Sequence, residues 1–203
     1  MPKIKKEWHD ELIIVDGGST DGTIEYAREH GYPLFVQKEK GAGAAFRESV
    51  GRATGDVIIV FSPDGNSLPE AIPQLVEKMK EGYDMVVASR YFGNAKSYDD
   101  DLITAFGNWM FTTMVNVLFG GSYTDVLVMF RAFKKELITT LDLGTRSPSW
   151  TTQMSIRCAK RKLKVAEIPA DEPPRIGGKR KMHPFINGLS ELYMIFREIS
   201  RFR

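Results

Sequence analysis

Leu12-Ile13-Ile14-Val15-Asp16-Gly17-Gly18-Ser19-Thr20-Asp21-Gly22-Thr23 runs from an apolar segment into a turn and then into a helical pattern that continues to His30, with Gly31 as its stop. The apolar run, mostly Ile and Val, suits a strand buried on both faces, and the Asp-Gly-Gly-Ser cluster after it is turn chemistry. The same grammar recurs. Pro33-Leu34-Phe35-Val36, Val57-Ile58-Ile59-Val60-Phe61 and Met85-Val86-Val87-Ala88 read as strands, with helices from Gly43 to Ala53 and from Pro69 to Glu81 between them. Strands alternating with helices predict an α/β domain, a mostly parallel sheet flanked by helices. Ligands of such sheets sit outside the carboxyl ends of the strands. Three of those ends carry Asp16, Asp64 (in Ser62-Pro63-Asp64-Gly65) and Arg90.

Downstream, residues 100–119 read as a helix whose apolar residues cover more than one face, interrupted by Asn108, Thr112, Thr113 and Asn116. The reading is too polar for a bilayer span; packing against the sheet and a surface for a lipid or a partner both stay open. A strand at 128–133, a helix at 149–160 and a strand at 163–168 follow, then the break Asp171-Glu172-Pro173-Pro174. Residues 1–174 are therefore one domain, with 175–203 as its basic loop and amphipathic helix. That last segment sets Arg175, Lys179, Arg180, Lys181, Arg197, Arg201 and Arg203 against Glu191 and Glu198. Its apolar residues fall near helical spacing, as fits docking onto the domain or peripheral contact with a membrane.

Composition excludes several classes. With 28 Lys+Arg against 26 Asp+Glu over 203 residues, the formal charge of +2 gives no electrostatic case for a nucleic-acid binder. The single cysteine, Cys158, excludes an intramolecular disulfide or a thiolate zinc site. The N-terminus lacks the apolar stretch of a secretory signal, so the expected location is the cytoplasm, soluble or peripheral on the cytoplasmic membrane face. Gly41 to Phe46 has Phe where a dinucleotide fingerprint needs its third glycine, and Gly17 to Thr23 lacks the lysine of a phosphate loop. His9, His30 and His183 have no metal-ligand spacing.

What remains is a set of motifs in order. Ile13-Ile14-Val15-Asp16-Gly17-Gly18-Ser19-Thr20-Asp21-Gly22-Thr23 closely resembles the VVDDGSxDGT strand-turn-helix of the family 2 glycosyltransferases, which have the GT-A fold. Gly41-Ala42-Gly43-Ala44-Ala45 with Ala53-Thr54-Gly55-Asp56-Val57-Ile58 is similar to their GxGxA and AxGDxI segments. Asp64 with Leu68-Pro69-Glu70-Ala71-Ile72-Pro73 looks like the metal-site loop and the helix after it. Ala88-Ser89-Arg90-Tyr91, Asp125 with Phe130-Arg131, and Arg175, Gly178, Lys181 and Gly188 are similar to the GSRY, DxxSGFR and RxxGxSK elements of the branch containing the dolichol-phosphate mannosyltransferases.

The resemblance implies transfer of a sugar, with inversion, from a GDP- or UDP-linked nucleotide sugar to a polyprenyl phosphate, assisted by Mg2+ or Mn2+. It implies Asp64 as the metal ligand, and Asp16, Gly18, Ser19 and Gly43 on the nucleotide side. Arg90, Arg131 and Arg175 would hold phosphates, and Lys181 the acceptor. Asp125 would be a base or would orient Arg131. The chemistry agrees: a departing diphosphate needs a hard cation, guanidinium forks or both. The plainer readings are turn chemistry for Asp16 and Asp64 and surface solvation for the arginines and the 179–181 cluster.

An already anionic phosphate needs binding cations more than a base, and Gln153 stands where relatives usually carry an acid, which favours a phosphate acceptor over a saccharide hydroxyl. Two features depart from the family pattern. Ser62-Pro63-Asp64 keeps only the second carboxylate of DxD, and relatives open with a further strand and helix ahead of the Asp16 strand. The second departure predicts an unpaired strand edge, with weak stability or a homodimer as its consequence. A non-catalytic nucleotide-sugar-binding module is the rival class; a sugar nucleotidyltransferase would need a GxGTR-type start that is absent.

Overall fold

The computed structural model describes residues 3–174 and 183–200. In chain order the elements are β1 (Ile14–Asp16), α1 (Thr23–Glu29), β2 (Leu34–Val36), α2 (Ala42–Arg52), β3 (Val57–Val60), α3 (Ile72–Lys80), β4 (Met85–Ser89), α4 (Leu102–Phe119), β5 (Arg131–Lys134), α5 (Leu137–Thr140), α6 (Trp150–Lys160), β6 (Val165–Pro169) and α7 (Pro184–Ser200). The expected strands and helices all form, within a few residues of their expected ends. The short α5 was not expected.

β1 and β2 pair in parallel, Val15 opposite Phe35. The other strands make a sheet in the order β3-β5-β4-β6. β4 and β6 are parallel, and β5 runs antiparallel to both β3 and β4, so β3, β4 and β6 share one direction. The sheet is thus mostly parallel in strand direction. This topology also gathers the segments after β3, β4 and β6, and the segment leading into β5, at one end of the sheet.

β4 is buried along its whole length, and its residues alternate between two cores as the pleat requires. Met85 and Val87 face Phe46, Phe133 and Trp150, where the Phe46 and Trp150 rings stack at 3.9 Å. Val86 and Ala88 face Ile72, Leu75 and Phe130. Burial on both faces holds for β4 and fails for β1, β2 and β3, which are only half-buried. β1, β2, β3 and β6 each have a single partner among the described ladders.

α7 is fixed to α6 by a buried carboxylate. Glu198 is 1% exposed and accepts from the Arg157 Nε and Nη2, the Gln153 Nε2 and the Lys160 Nζ. Burial pushes the Glu198 carboxyl up, but the bonds from Arg157 and Gln153 outweigh it and hold its pKa below the ordinary value. Gln153 is completely buried, and its other amide atom accepts from the Thr145 N–H. It therefore joins two helices and does not stand in a substrate cleft, so the choice of acceptor cannot be read from it.

Glu191, also on α7, is the opposite case. It is buried beside Ser149 and Thr152 with one carboxyl oxygen lacking a partner among the described residues, and burial raises its pKa. The folded state thus holds this proton more tightly than the unfolded chain does. Its contribution is fully present below the unfolded carboxyl pKa and is lost as pH rises through the folded value. Glu191→Gln should accordingly raise the thermal midpoint at pH 7.5 and leave it nearly unchanged at pH 4. Equal shifts at both pH values, followed by circular dichroism, would count against the buried charge.

Candidate active site

Asp16 ends β1, and its carboxylate organises the turn that follows. Oδ1 accepts the N–H groups of Gly18 and Ser19 at 2.7 and 2.6 Å, and Oδ2 accepts the Ser19 hydroxyl at 2.9 Å. Burial pushes this carboxyl up, but the Ser19 and Gly18 bonds prevail and hold its pKa below the usual range. Gly18 has φ +91°, a conformation that needs glycine here. Asp16, Gly18 and Ser19 form one unit, in which Oδ2 keeps acceptor capacity for a ligand.

Gly43 belongs elsewhere. It lies in the first turn of α2, its N–H donates to the Arg146 carbonyl, and a Cβ on it would collide with the Thr145 carbonyl and sit 3.0 Å from the Ser147 carbonyl. This corrects the expectation that Gly43 receives substrate: its amide is engaged, and its lack of a side chain lets α2 meet the loop before α6. Gly43→Ala should cost about 1–3 kcal/mol through that overlap, measured by urea denaturation. An alanine variant as stable as the native chain would show that the loop gives way freely.

The third group is assembled by the sheet topology. Arg90, following β4, donates from Nε and Nη2 to Asp125 at 2.7 and 3.1 Å, and from Nη1 to Asp100 and Glu172 at 3.1 Å each. Tyr91 donates its hydroxyl to Asp100, and Ser97 to Glu172. The Asn66 amide reaches Glu172 at 3.2 Å, which ties the loop after β3 into the cluster, and Ser62 donates to Asp64 in that loop. Arg90, Asp125 and Glu172 are therefore joined to Asn66, and the loop that also carries Asp64 is held to the carboxyl end of the sheet by that bond. Among the described residues, one arginine here bridges three carboxylates.

Two expected roles do not fit this geometry. Arg90 is 12% exposed at its side chain and already bonded to three acids, so it is no open fork for a phosphate. Arg131 is fully buried: its guanidinium donates to the carbonyls of Val126, Val128 and Thr151 and to the Ser155 hydroxyl, and burial pushes its pKa down to about 10. It shapes the segment that carries Asp125 and touches no solvent from which a ligand would arrive. Asp125 is itself fully buried. Beyond Arg90 it accepts the N–H groups of Leu127 and Val128, so it offers no lone pair as a base and instead orients Arg90. Arg175 and Lys181 lie outside the described residues.

Asp100 and Glu172 are the acids the sequence reading missed. Glu172 follows β6 at the end of the sheet that holds Asp64 and Arg90, so the strand-end rule, carried to the sixth strand, would have found it. For a divalent cation, no group of three or more His, Cys, Asp or Glu is arranged as a ligand set among the described residues. Asp64 and the Asn66 amide oxygen, which has no partner among the described residues, supply two hard oxygen donors in one loop. Two protein oxygens fit a Mg2+-like ion that completes its shell with phosphate oxygens and water.

The model of "Glycosyl transferase family 2" matches residues 6–141, and the chain belongs to that family. Among curated relatives it is 29% identical to glycosyltransferase AglJ of Haloferax volcanii over 175 residues, covering 86% of this chain and 57% of AglJ. It is 28% identical over 178 residues to a dolichyl-phosphate hexose transferase of the same organism, covering 88% of this chain and 76% of the relative. Among solved structures, glucosyl-3-phosphoglycerate synthase of Mycobacterium tuberculosis with UDP superposes with a TM-score of 0.75 at 19% identity, over 94% of this chain and 69% of that one. Its complex with Mn2+, UDP-glucose and phosphoglyceric acid gives 0.73 at 20%. These structures establish the GT-A fold.

Proposed function

We propose that this chain transfers a hexose from a GDP- or UDP-linked donor to a polyprenyl phosphate of the dolichyl type, with inversion. The observation that carries the reading is Asp125: the acid at the expected base position is completely buried and bonded to Arg90 and two backbone N–H groups. A saccharide hydroxyl must lose a proton during attack, whereas a phosphate oxygen arrives already anionic. The likeness to a dolichyl-phosphate hexose transferase over 88% of the chain points the same way.

An acceptor phosphate oxygen attacks the anomeric carbon from the face opposite the diphosphate. The new C–O bond forms as the bond from that carbon to the nucleoside diphosphate breaks, and the electron pair leaves on the diphosphate. Asp64, with the Asn66 amide oxygen, would hold a divalent cation that neutralises the charge developing there. Asp16, with its Gly18–Ser19 turn, is the proposed contact to the nucleotide; Arg175 and Lys181 are the proposed cations for the phosphates. Because an acceptor of this class is membrane-borne, the proposed setting is the cytoplasmic membrane face.

The test is turnover of GDP- and UDP-hexoses with a short-chain polyprenyl phosphate against a panel of saccharide acceptors, with the anomer of the product determined. A β-linked lipid phosphate from an α-linked donor supports the reading. Product on a saccharide alone replaces it with the hydroxyl-acceptor reading, and donor binding without any turnover replaces it with a non-catalytic module.

A further inference from the structure

The segment that carries Asp125 is held by an acid on β6. Glu167 stands opposite Val87 of β4 in the parallel ladder. Its two carboxyl oxygens accept the Thr124 N–H at 3.0 and 2.9 Å; Oε2 also accepts the Thr124 hydroxyl at 2.8 Å, and Oε1 the Asp125 N–H at 3.3 Å. The Thr124 hydroxyl lies 2.5 Å from the Ser89 hydroxyl, which accepts the Tyr91 N–H at 3.2 Å. Because Thr124 gives its hydroxyl proton to Glu167, Ser89 donates to Thr124. The residues on both sides of Arg90 thus join one chain of hydrogen bonds that ends on the Glu167 carboxylate.

An ionised side chain is a costly way to fix a loop. Glu167 is partly buried, its bonds come from neutral donors, and the like charge of Asp125 adds to burial in raising its pKa. Arg131 is a cation whose charge it feels, but that guanidinium donates to the carbonyls of Val126, Val128 and Thr151 and to Ser155. A neutral acceptor would satisfy the same backbone without desolvating a charge. What the carboxylate adds is grip, since two oxygens take two successive N–H groups and a hydroxyl at once. Glu167 thereby sets Asp125, and Asp125 sets Arg90 through the guanidinium Nε and Nη2. Arg90 reaches Glu172, which accepts the Asn66 amide from the loop that also carries Asp64. This path visits a segment next to every strand of the β3-β5-β4-β6 sheet.

We infer that Glu167 is a positioning residue for the donor site: its carboxylate sets Asp125 and Arg90, and through them the loop whose Asp64 and Asn66 are proposed to hold the cation. The inference rests on that proposed donor site and deepens it. Glu167→Gln keeps the shape and one acceptor oxygen and removes the charge. GDP- and UDP-hexoses are titrated, with and without Mn2+, into the native chain, Glu167→Gln, Asp64→Ala and the double variant. In the presence of Mn2+, Glu167→Gln should weaken donor binding about tenfold, and without Mn2+ it should have little effect. In the Asp64→Ala background it should change nothing further, because it acts through the loop of Asp64. The thermal midpoint of Glu167→Gln at pH 7.5 should be no lower than the native one, since relief of a partly buried charge offsets the weakened bonds. A residue of purely structural importance would lower the midpoint and leave the effect of Mn2+ alone, which overturns the inference. So does a tenfold loss that persists in full beside Asp64→Ala. Should Glu167→Gln fail to fold, Thr124→Val, which removes the hydroxyl bonds alone, takes its place in the same cycle with a loss in the same direction. A native chain that binds no donor with Mn2+ present overturns the proposed donor site and the inference together, whereas native binding that the variant retains overturns the inference by itself.

Discussion

Arg90→Met should unfold about 3–5 kcal/mol more readily than the native chain at neutral pH and regain part of that loss on acidification. The guanidinium pairs with Asp125, Asp100 and Glu172, three carboxylates of which Asp125 is completely buried. Burial works against the arginine's charge, but the attraction of Asp125 leads the forces that outweigh it, and its pKa is raised well above the ordinary value. Glu172 is shifted the other way, raised because burial outweighs its bonds to Arg90 and Ser97. Removing Arg90 takes from Glu172, already shifted upward by burial, the guanidinium that lowers it, so Glu172 will bind its proton more tightly still in the folded state than in the unfolded chain. Stability of the variant therefore falls as pH rises through that raised value and is better kept below it. Asp125→Ala should cost less, because Arg90 keeps Asp100 and Glu172. Urea denaturation at pH 5 and pH 7.5 checks both the order and the slope. An Arg90 whose loss left stability intact and weakened only donor binding would restore it as a phosphate fork.

Arg90 shows how far the sequence could be read. Its place at the carboxyl end of a parallel strand followed from Met85-Val86-Val87-Ala88, because a short continuous apolar run can be recognised without knowing its neighbours. Its partners could not be recognised that way: Asp125 and Glu172 lie 35 and 82 residues further along the chain. The same limit governs Arg131. An arginine that binds a phosphate and one that gathers backbone carbonyls are the same letter, and only the approach of Thr151 and Ser155 shows which this is. Gln153 was misread for a related reason, since an amide at an expected acid position gives no sign that Glu198 of α7 waits to accept from it. Local turn chemistry fared better. Asp16, Gly18 and Ser19 satisfy one another within four residues, so their association was legible from the quoted stretch alone.

Asp64→Ala should lower donor affinity at least about 100-fold, near 2.7 kcal/mol, and remove the response of that affinity to Mn2+ or Mg2+. With a single carboxylate and one amide oxygen in the loop after β3, the chain by itself makes a weak cation site. The diphosphate must complete the coordination, so cation and donor each bind well only when the other is present. Linkage makes this reciprocal: the factor by which the cation tightens donor binding is the factor by which the donor tightens cation binding. Calorimetric titration of the native chain should therefore show little heat with Mn2+ alone and tight binding with Mn2+ and the correct GDP- or UDP-sugar together. Chelation should bring the native protein down to the level of the Asp64→Ala protein and leave that variant unchanged. Because Asp64 lies in a partly exposed loop and is absent from both core clusters, the variant should keep the native thermal midpoint, separating lost binding from lost folding. Donor binding that is equally tight with a chelator present would mean that side-chain cations alone hold the diphosphate. The single carboxylate left of the family's metal motif would then be turn chemistry after all.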